Sequence, residues 1–256
     1  MPADLFAQSP YRCRLDWGRH GAGAAAERQD ILVIVDTLSF STAVVTAVQR
    51  GGLVYPCAED EAPSALAQRI GGEVAVRRKD VPARGRFSLS PLTYLHLAPG
   101  TRIVLASPNG ATCSRYARAV PCLFVGALVN AEAVATVVSH LLDTTDHCVT
   151  ILACGERWQP PSADGALRIA LEDYLGAGAI LASLRHEQSP EARVCAGAFT
   201  HSQRDIAALL WDCGSGRELR AMGFPEDVRH AAQLNSYDTV PVMRGAYLGR
   251  YCMTQL

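Results

Sequence analysis

Short runs of apolar residues alternate along the chain with longer segments in which apolar and polar positions repeat with a helical period. The short runs predict buried strands at residues 31–35, 53–57, 102–106, 122–125, 149–153 and 239–243. The longer segments predict helices at residues 41–50, 62–70, 130–142 and 165–185, and through most of 202–234. A chain in which strands and helices alternate is typical of α/β architecture.

The connections between these elements add detail to the prediction. Ser41 or Thr42 is expected to cap the helix after the first strand, and residues 165–185 are expected to form the longest helix. Residues 154–163 are predicted to be a loop, and residues 73–100 a long irregular connection with functional potential. The recurring strand-loop-helix units favour one compact α/β unit over residues 1–256, with two similar lobes at 1–115 and 116–256.

Composition narrows the classes of function. With 49% hydrophobic and 19% charged residues, the chain has the composition of a compact globular protein. Its net charge of −1 argues against a nucleic-acid partner, and the one basic cluster, in residues 77–86, has no interleaved aromatic side chains for base stacking. Lys79 is the only lysine, and no Gly-Lys-Ser/Thr sequence occurs, which excludes a phosphate-binding P-loop.

Other features predict a cytoplasmic protein. No apolar run is long enough to span a bilayer, and the first residues lack the charged and apolar regions of a signal peptide. The nine cysteines are scattered without a CxxC pair, which favours reduced thiols and argues against a structural zinc site. The sequence leaves a homodimer open.

Polar residues follow three of the predicted strands, where open α/β sheets bind ligands. The segments are Asp36–Thr42, with a carboxylate next to several hydroxyls; 107–112, a turn with exposed amides; and 154–156, followed by Glu172 and Asp173 among apolar residues. Buried carboxylates are costly unless they meet a cation or hydrogen-bond donors. Simpler interpretations stay open: a helix cap, an ordinary turn, and a solvated acidic pair.

Cys154 is a further candidate, because a cysteine at a strand end can act as a nucleophile when a base lies nearby. None of the seven histidines forms a recognisable motif with it. A thiol hydrolase is therefore the weakest of the hypotheses.

Taken together, the segments from Ile31 to Pro241 resemble the 2-phosphosulfolactate phosphatase family, whose members remove phosphate from 2-phospho-3-sulfolactate in coenzyme M biosynthesis. The order and spacing of several motifs carry the resemblance: Val35-Asp36-Thr37-Leu38-Ser39-Phe40-Ser41-Thr42, Gly71-Gly72-Glu73 with Ser88-Leu89-Ser90-Pro91, Ser107-Pro108-Asn109-Gly110-Ala111-Thr112, Gly126-Ala127-Leu128-Val129-Asn130-Ala131, Glu172-Asp173 with Gly176-Ala177-Gly178, and Gly223-Phe224-Pro225-Glu226-Asp227-Val228 running on to Val240-Pro241.

The resemblance implies a cytoplasmic, Mg²⁺-dependent phosphatase, a phosphoric monoester hydrolase acting on 2-phosphosulfolactate or a related 2-phospho acid. It implies a three-layer α/β/α fold around a mixed or mostly parallel sheet. The implied metal ligands are Asp36, Glu172 and Asp227. The implied catalytic residues are Asp36, Asp173 and Asn109, and the implied substrate-binding residues are Ser39, Ser41, Thr42 and Thr112.

Some positions depart from the family pattern. Ser39 stands where the family tends to have an arginine, and Leu89 stands where it tends to have an asparagine. An arginine is the natural bidentate partner of a phosphate or sulfonate group. A catalytically silent, small-anion-binding relative is therefore the alternative hypothesis, and the cluster Arg77, Arg78, Arg84 and Arg86 is a candidate replacement for the missing cation.

Overall fold

The computed structural model describes residues 5–163 and 165–252. Nine strands form one sheet: β1 (Cys13–Trp17), β2 (Ile31–Val35), β3 (Leu53–Cys57), β4 (Glu73–Val74), β5 (Arg102–Ala106), β6 (Leu123–Gly126), β7 (Val149–Ala153), β10 (Pro241–Arg244) and β11 (Tyr247–Arg250). Two further strands, β8 (Glu156–Ser162) and β9 (Gly165–Arg168), pair with each other in a separate antiparallel hairpin.

The large sheet is mixed and mostly parallel. Its strand order is β1-β7-β2-β6-β10-β11-β3-β5-β4. Strands β1, β7, β2 and β6 are mutually parallel, as are β3, β5 and β4, while the antiparallel pair β10–β11 lies between the two groups. The first group combines strands from residues 13–153, whereas the second contains β3, β4 and β5, which follow one another in the chain. The division into lobes 1–115 and 116–256 stays a prediction.

Helices cover both faces of the sheet. They are α1 (Gly18–Arg28), α2 (Phe40–Gln49), α3 (Pro63–Ile70), α4 (Gly110–Tyr116), α5 (Ala131–Thr144), α6 (Leu171–Ala182), α7 (Pro190–Ser202), α8 (Ile206–Asp212), α9 (Gly214–Ala221) and α10 (Pro225–Ala231). Within β2, Ile31, Val33 and Val35 join the core formed with α5–α10, while Leu32 and Ile34 join the core formed with α1, α2 and α4. The predicted three-layer α/β/α fold is confirmed, and burial on both faces explains the uninterrupted apolar run of β2.

The sequence pattern predicts β2, β3, β5 and β7 with their observed ends. The helix after β2 begins at Phe40, so Ser39 rather than Ser41 or Thr42 occupies the N-cap position. Within the described residues, no helix is long and apolar enough to cross a membrane.

The predicted loop and the predicted start of the longest helix are both wrong in the region of residues 154–170. Residues 156–162 form a strand instead of a loop, and residues 165–168 form its partner strand instead of the start of the longest helix. The hairpin pairs Glu156 with Arg168 across an irregular register. Helix α6 consequently begins at Leu171, which places Glu172 and Asp173 in its first turn.

Candidate active site

The candidate site lies at the carboxyl ends of β2 and β7, which are adjacent parallel strands. Asp36 directly follows β2, and Cys154 follows β7 with its amide bonded to the carbonyl of Val35 at 2.9 Å. The first turn of α6 adds Glu172 and Asp173, and β8 adds Glu156. This is the edge of an α/β sheet at which ligands generally bind.

Asp36 joins the loops that follow β2 and β5. It is 3% exposed, and its Oδ1 accepts a hydrogen bond from the Phe40 amide at 3.1 Å. Its Oδ2 accepts from the Gly110 amide at 2.8 Å and from Ser107 Oγ at 3.4 Å. Burial raises the pKa of Asp36, and the negative charge of Glu172 raises it further, while these donors act in the opposite direction.

Asp173 holds the loops after β2 and β7 together. Its Oδ1 accepts from the Thr37 amide at 2.7 Å, and its Oδ2 accepts from the Gly155 amide at 2.9 Å. One turn further along α6, a Cβ at Gly176 would lie 2.6 Å from Thr37 Oγ1, so only glycine allows this close approach. Burial raises the pKa of Asp173 well above its ordinary range, and Asp36 and Glu172 add to the effect.

Glu172 and Glu156 complete a group of four carboxylates. Glu172 is 2% exposed, and its Oε2 accepts from the thiol of Cys213 at 3.4 Å. Glu156 Oε2 accepts from Asn109 Nδ2 at 2.9 Å. Burial raises the pKa of Glu156 to about 7, with the charges of Asp36 and Glu172 adding to the rise and Arg168 weakly opposing it.

We call Asp36, Glu156, Glu172 and Asp173 the acidic cluster. Among the described residues, none of the four takes part in an ion pair. Buried carboxylates without a bonded cation favour a bound proton or an external positive charge, in agreement with the raised pKa values of Asp36, Glu156 and Asp173. The cluster is therefore equipped for proton transfer, for cation binding, or for both.

The donor set fits Mg²⁺ only in part. Carboxylate oxygens are the ligands that this ion prefers, and Mg²⁺ commonly uses one or two carboxylates together with waters and substrate phosphate. Over residues 5–163 and 165–252, however, no three acidic, histidine or cysteine side chains are already arranged as a metal cage. The arrangement suits an ion held by one or two carboxylates and completed by the substrate.

Asp227 lies outside the acidic cluster. Its Oδ2 accepts from Arg78 Nε at 2.8 Å, and its Oδ1 accepts from Ser90 Oγ at 2.5 Å. Arg78 Nη2 also donates to Ser39 Oγ and to the carbonyl of Leu89. The structure thus brings Asp36, Glu172, Asp173 and Asn109 together, whereas Asp227 forms a buried ion pair with Arg78.

The hydroxyls predicted to bind substrate mainly support the loops of the site. Ser41 Oγ donates to the carbonyl of Ile34 and accepts from the Asp36 amide. Thr42 Oγ1 donates to the carbonyl of Thr37 at 2.8 Å, and Thr112 Oγ1 donates to that of Ser107 at 3.0 Å. Their contact with substrate, like that of Ser39, stays a prediction.

Cys154 has an environment unsuited to a thiolate. It is 3% exposed, and burial raises its pKa well above the ordinary range, with the neighbouring thiol of Cys113 adding to the effect. In the part of the chain that the structure describes, no histidine is hydrogen-bonded to it. An unactivated thiol of this kind is a poor nucleophile.

Glu156 falls within the predicted 154–156 segment, Arg78 within the predicted cationic cluster and Ser90 within a family motif. Sequence reasoning nevertheless assigned Glu156 and Ser90 no role of their own and did not predict the pairing of Arg78 with Asp227. A signal for Glu156 does exist, because it stands two residues after Cys154 at the end of a predicted strand. Ser90 and Arg78 lie in the irregular 73–100 connection, where the sequence offers only residue types and no periodicity.

The protein is therefore an α/β protein whose candidate active site consists of buried carboxylates at the carboxyl ends of its central strands. The family model described as 2-phosphosulpholactate phosphatase matches residues 21–246 of this chain. The chain therefore belongs to that family, which confirms the phosphatase family predicted from its motifs.

Individual relatives agree with this assignment. A probable 2-phosphosulfolactate phosphatase from Pseudothermotoga lettingae is 29% identical, over 84% of this chain and 90% of its own length. A second, from Carboxydothermus hydrogenoformans, is 30% identical over 82% of this chain and 84% of its own. The 2-phosphosulfolactate phosphatase of Methanothermobacter thermautotrophicus is 27% identical over 85% and 88%.

Proposed function

We propose that this protein is a Mg²⁺-dependent phosphatase that hydrolyses a small phosphomonoester carrying further acidic groups. The candidate substrate is 2-phosphosulfolactate, the compound named in the relatives' descriptions. The acidic cluster is the single observation that carries the proposal, because it offers several desolvated carboxylates at one edge of the sheet.

Asp36 and Glu172 are the carboxylates that we propose as metal ligands. Both are almost fully buried, and the charge of Glu172 acts on Asp36. Bound Mg²⁺ would neutralise charge on the phosphoryl oxygens. The two amides and the hydroxyl that bond to Asp36 fix the direction of its oxygens, and Asp173 fixes the loops on which Asp36 stands. We propose Asp227 as the partner of Arg78 in preference to its predicted role as a metal ligand, since the guanidinium already neutralises its charge.

Glu156 is the residue that we propose for proton transfer. A carboxyl with a pKa of about 7 holds a proton in about half of the molecules at neutral pH, which suits exchange with water or a leaving oxygen. Asn109 Nδ2 donates to Glu156 Oε2 and so restrains its orientation. The predicted catalytic role of Asn109 then becomes the positioning of this carboxyl group.

Phosphate release from purified protein tests the proposal. The substrates are 2-phosphosulfolactate, 2-phosphoglycolate and ethyl phosphate, each with EDTA and then with excess Mg²⁺. We expect release that EDTA abolishes and Mg²⁺ restores. No release from any substrate would contradict the phosphatase, whereas release that EDTA does not affect would contradict only the metal requirement.

The silent anion-binding alternative predicts a different outcome of the same experiment. It would give thermal stabilisation by the phosphoesters or by inorganic phosphate with no turnover. One observation weakens the case for this alternative, which rests on the missing arginine at position 39. The guanidinium of Arg78 donates to the hydroxyl of Ser39, so a cation lies beside this position even though the residue is a serine. A cytoplasmic location, a homodimer and the absence of a nucleic-acid partner stay predictions.

A further inference from the structure

A groove of about 620 Å³ opens between the 73–100 connection, the end of β5 and the residues that precede α10. Its lining includes Arg78, Lys79, Leu89, Ala106, Met222 and Phe224. The groove has both apolar walls and cationic groups, and its volume lies in the range of small-molecule sites. Lys79, the only lysine of the chain, therefore stands beside a cavity.

The groove is joined to the candidate active site at two points. Ala106, in its wall, precedes Ser107, whose hydroxyl donates to Asp36. On the other side, Arg78 donates to Ser39, and the next amide in that loop, that of Phe40, donates to Asp36. The groove wall is therefore one residue along the chain from Ser107, and one hydrogen bond from the loop that carries Phe40.

The cations of the groove have donors left for a ligand. Asp227 holds Arg78 through Nε, and Ser39 and Leu89 take Nη2, so that Nη1 has no hydrogen-bond partner among the described residues. The Arg78 guanidinium also lies 5.8 Å from the ring centre of Phe224. Lys79 is exposed and, within the described residues, forms no ion pair.

We propose that this groove binds a second anionic group of the substrate, its sulfonate or its carboxylate, through the Lys79 ammonium and the free edge of Arg78. The inference rests on the proposed function and makes it more specific. The acidic cluster would repel a second negative charge, so that charge is favoured where the lysine and arginine lie. Arg78, anchored by Asp227, contributes a fixed guanidinium, and Lys79 a mobile ammonium.

The ratio of kcat/KM for 2-phosphoglycolate to kcat/KM for ethyl phosphate tests the groove, because only the first substrate has a second anionic group. We expect Lys79→Met to lower this ratio about tenfold, mainly through KM for 2-phosphoglycolate. Arg50→Met is the control, since Arg50 is an exposed cation outside both the groove lining and the cationic cluster of residues 77–86, and it should leave the ratio unchanged. An unchanged ratio for Lys79→Met, or an equal fall in both variants, would overturn the proposal.

A binding measurement separates failure of the groove from failure of the phosphatase proposal. If the wild type releases no phosphate from any substrate, calorimetry with 3-sulfolactate replaces the kinetic ratio. Weaker binding by Lys79→Met than by the wild type, with Arg50→Met unaffected, would support the groove. Equal binding by all three proteins, or no binding by the wild type, would refute it.

Discussion

Asp36 and Asp227 are both nearly inaccessible, with exposures of 3% and 2%, but their partners differ. Asp36 accepts hydrogen bonds from neutral amides and a hydroxyl, and its charged neighbours are other carboxylates. Asp227 accepts from the guanidinium of Arg78 and from Ser90. Negative charge is therefore concentrated around Asp36 without a bonded cation, whereas Arg78 neutralises the charge of Asp227 within the protein.

The difference indicates how the two sites can be used. A buried ion pair with full hydrogen bonding is internally compensated and fixes geometry, here the position of Arg78 beside Ser39. Uncompensated carboxylates keep their capacity to bind protons or a metal ion, at a cost to folding stability. The chemistry is therefore expected at Asp36, and the support for it at Asp227.

Asp36→Asn should give the largest effect. The variant keeps the shape of the side chain but loses its charge, and we expect phosphate release to fall by about 10³-fold or more, equivalent to several kcal/mol of transition-state stabilisation. Asp238→Asn, whose side chain is 77% exposed, is the control and should retain activity. Comparable activity in the two variants would remove Asp36 from the mechanism.

Arg78→Met tests the compensated site. It leaves the buried Asp227 carboxylate without its cation, and we expect a loss of about 3–5 kcal/mol in the free energy of unfolding, measured with urea. The double variant Arg78→Met/Asp227→Asn removes both charges and should recover most of that loss. If the double variant is as unstable as the single one, the ion pair is not the source of the effect.

The stability of the metal-free protein should depend on pH through Glu156. Its pKa is about 7 in the folded protein against an ordinary value of 4.5, so the folded state holds the proton to higher pH than the unfolded state does. Through Glu156 alone, the free energy of unfolding should therefore fall as pH rises from about 4.5 to 7, by at most roughly 3.4 kcal/mol. Asp36 and Asp173 shift in the same direction.

Glu156→Gln should flatten this pH dependence, and the variant should be more stable than the wild type at pH 7.5 in EDTA. Mg²⁺ should stabilise the wild type more at pH 7.5 than at pH 5, because protons and the ion compete for the same carboxylates. A pH profile identical in the two proteins would show that Glu156 does not titrate in this window.

Iodoacetamide should have the smallest effect. Because Cys154 is buried and its pKa is raised, we expect reagent treatment of the native protein to leave phosphate release intact. If iodoacetamide abolishes phosphate release by the wild type but not by Cys154→Ala, modification of Cys154 causes the loss. That result would support the thiol hypothesis over the acidic cluster.

Sequence reasoning reached the carboxylates because each has a local signature. Asp36 follows five consecutive apolar residues, and Glu172 and Asp173 stand among apolar neighbours. Glu156 has only a weak local signal, its position just after a predicted strand, and its orientation depends on the β8–β9 hairpin, which pairs it with Arg168. Arg78 required an ion pair with a residue 149 positions away, for which no local pattern exists.

The amino-acid sequence alone determined the α/β class, the central strands with their ends, the family and most of the acidic residues. These follow from local periodicity, burial tendency and motif order, which are properties of neighbouring residues. Tertiary structure alone decided which carboxylates share a site and which one has a cation. That outcome depends on distances between side chains that are far apart in the chain, because desolvation and charge interactions act through space.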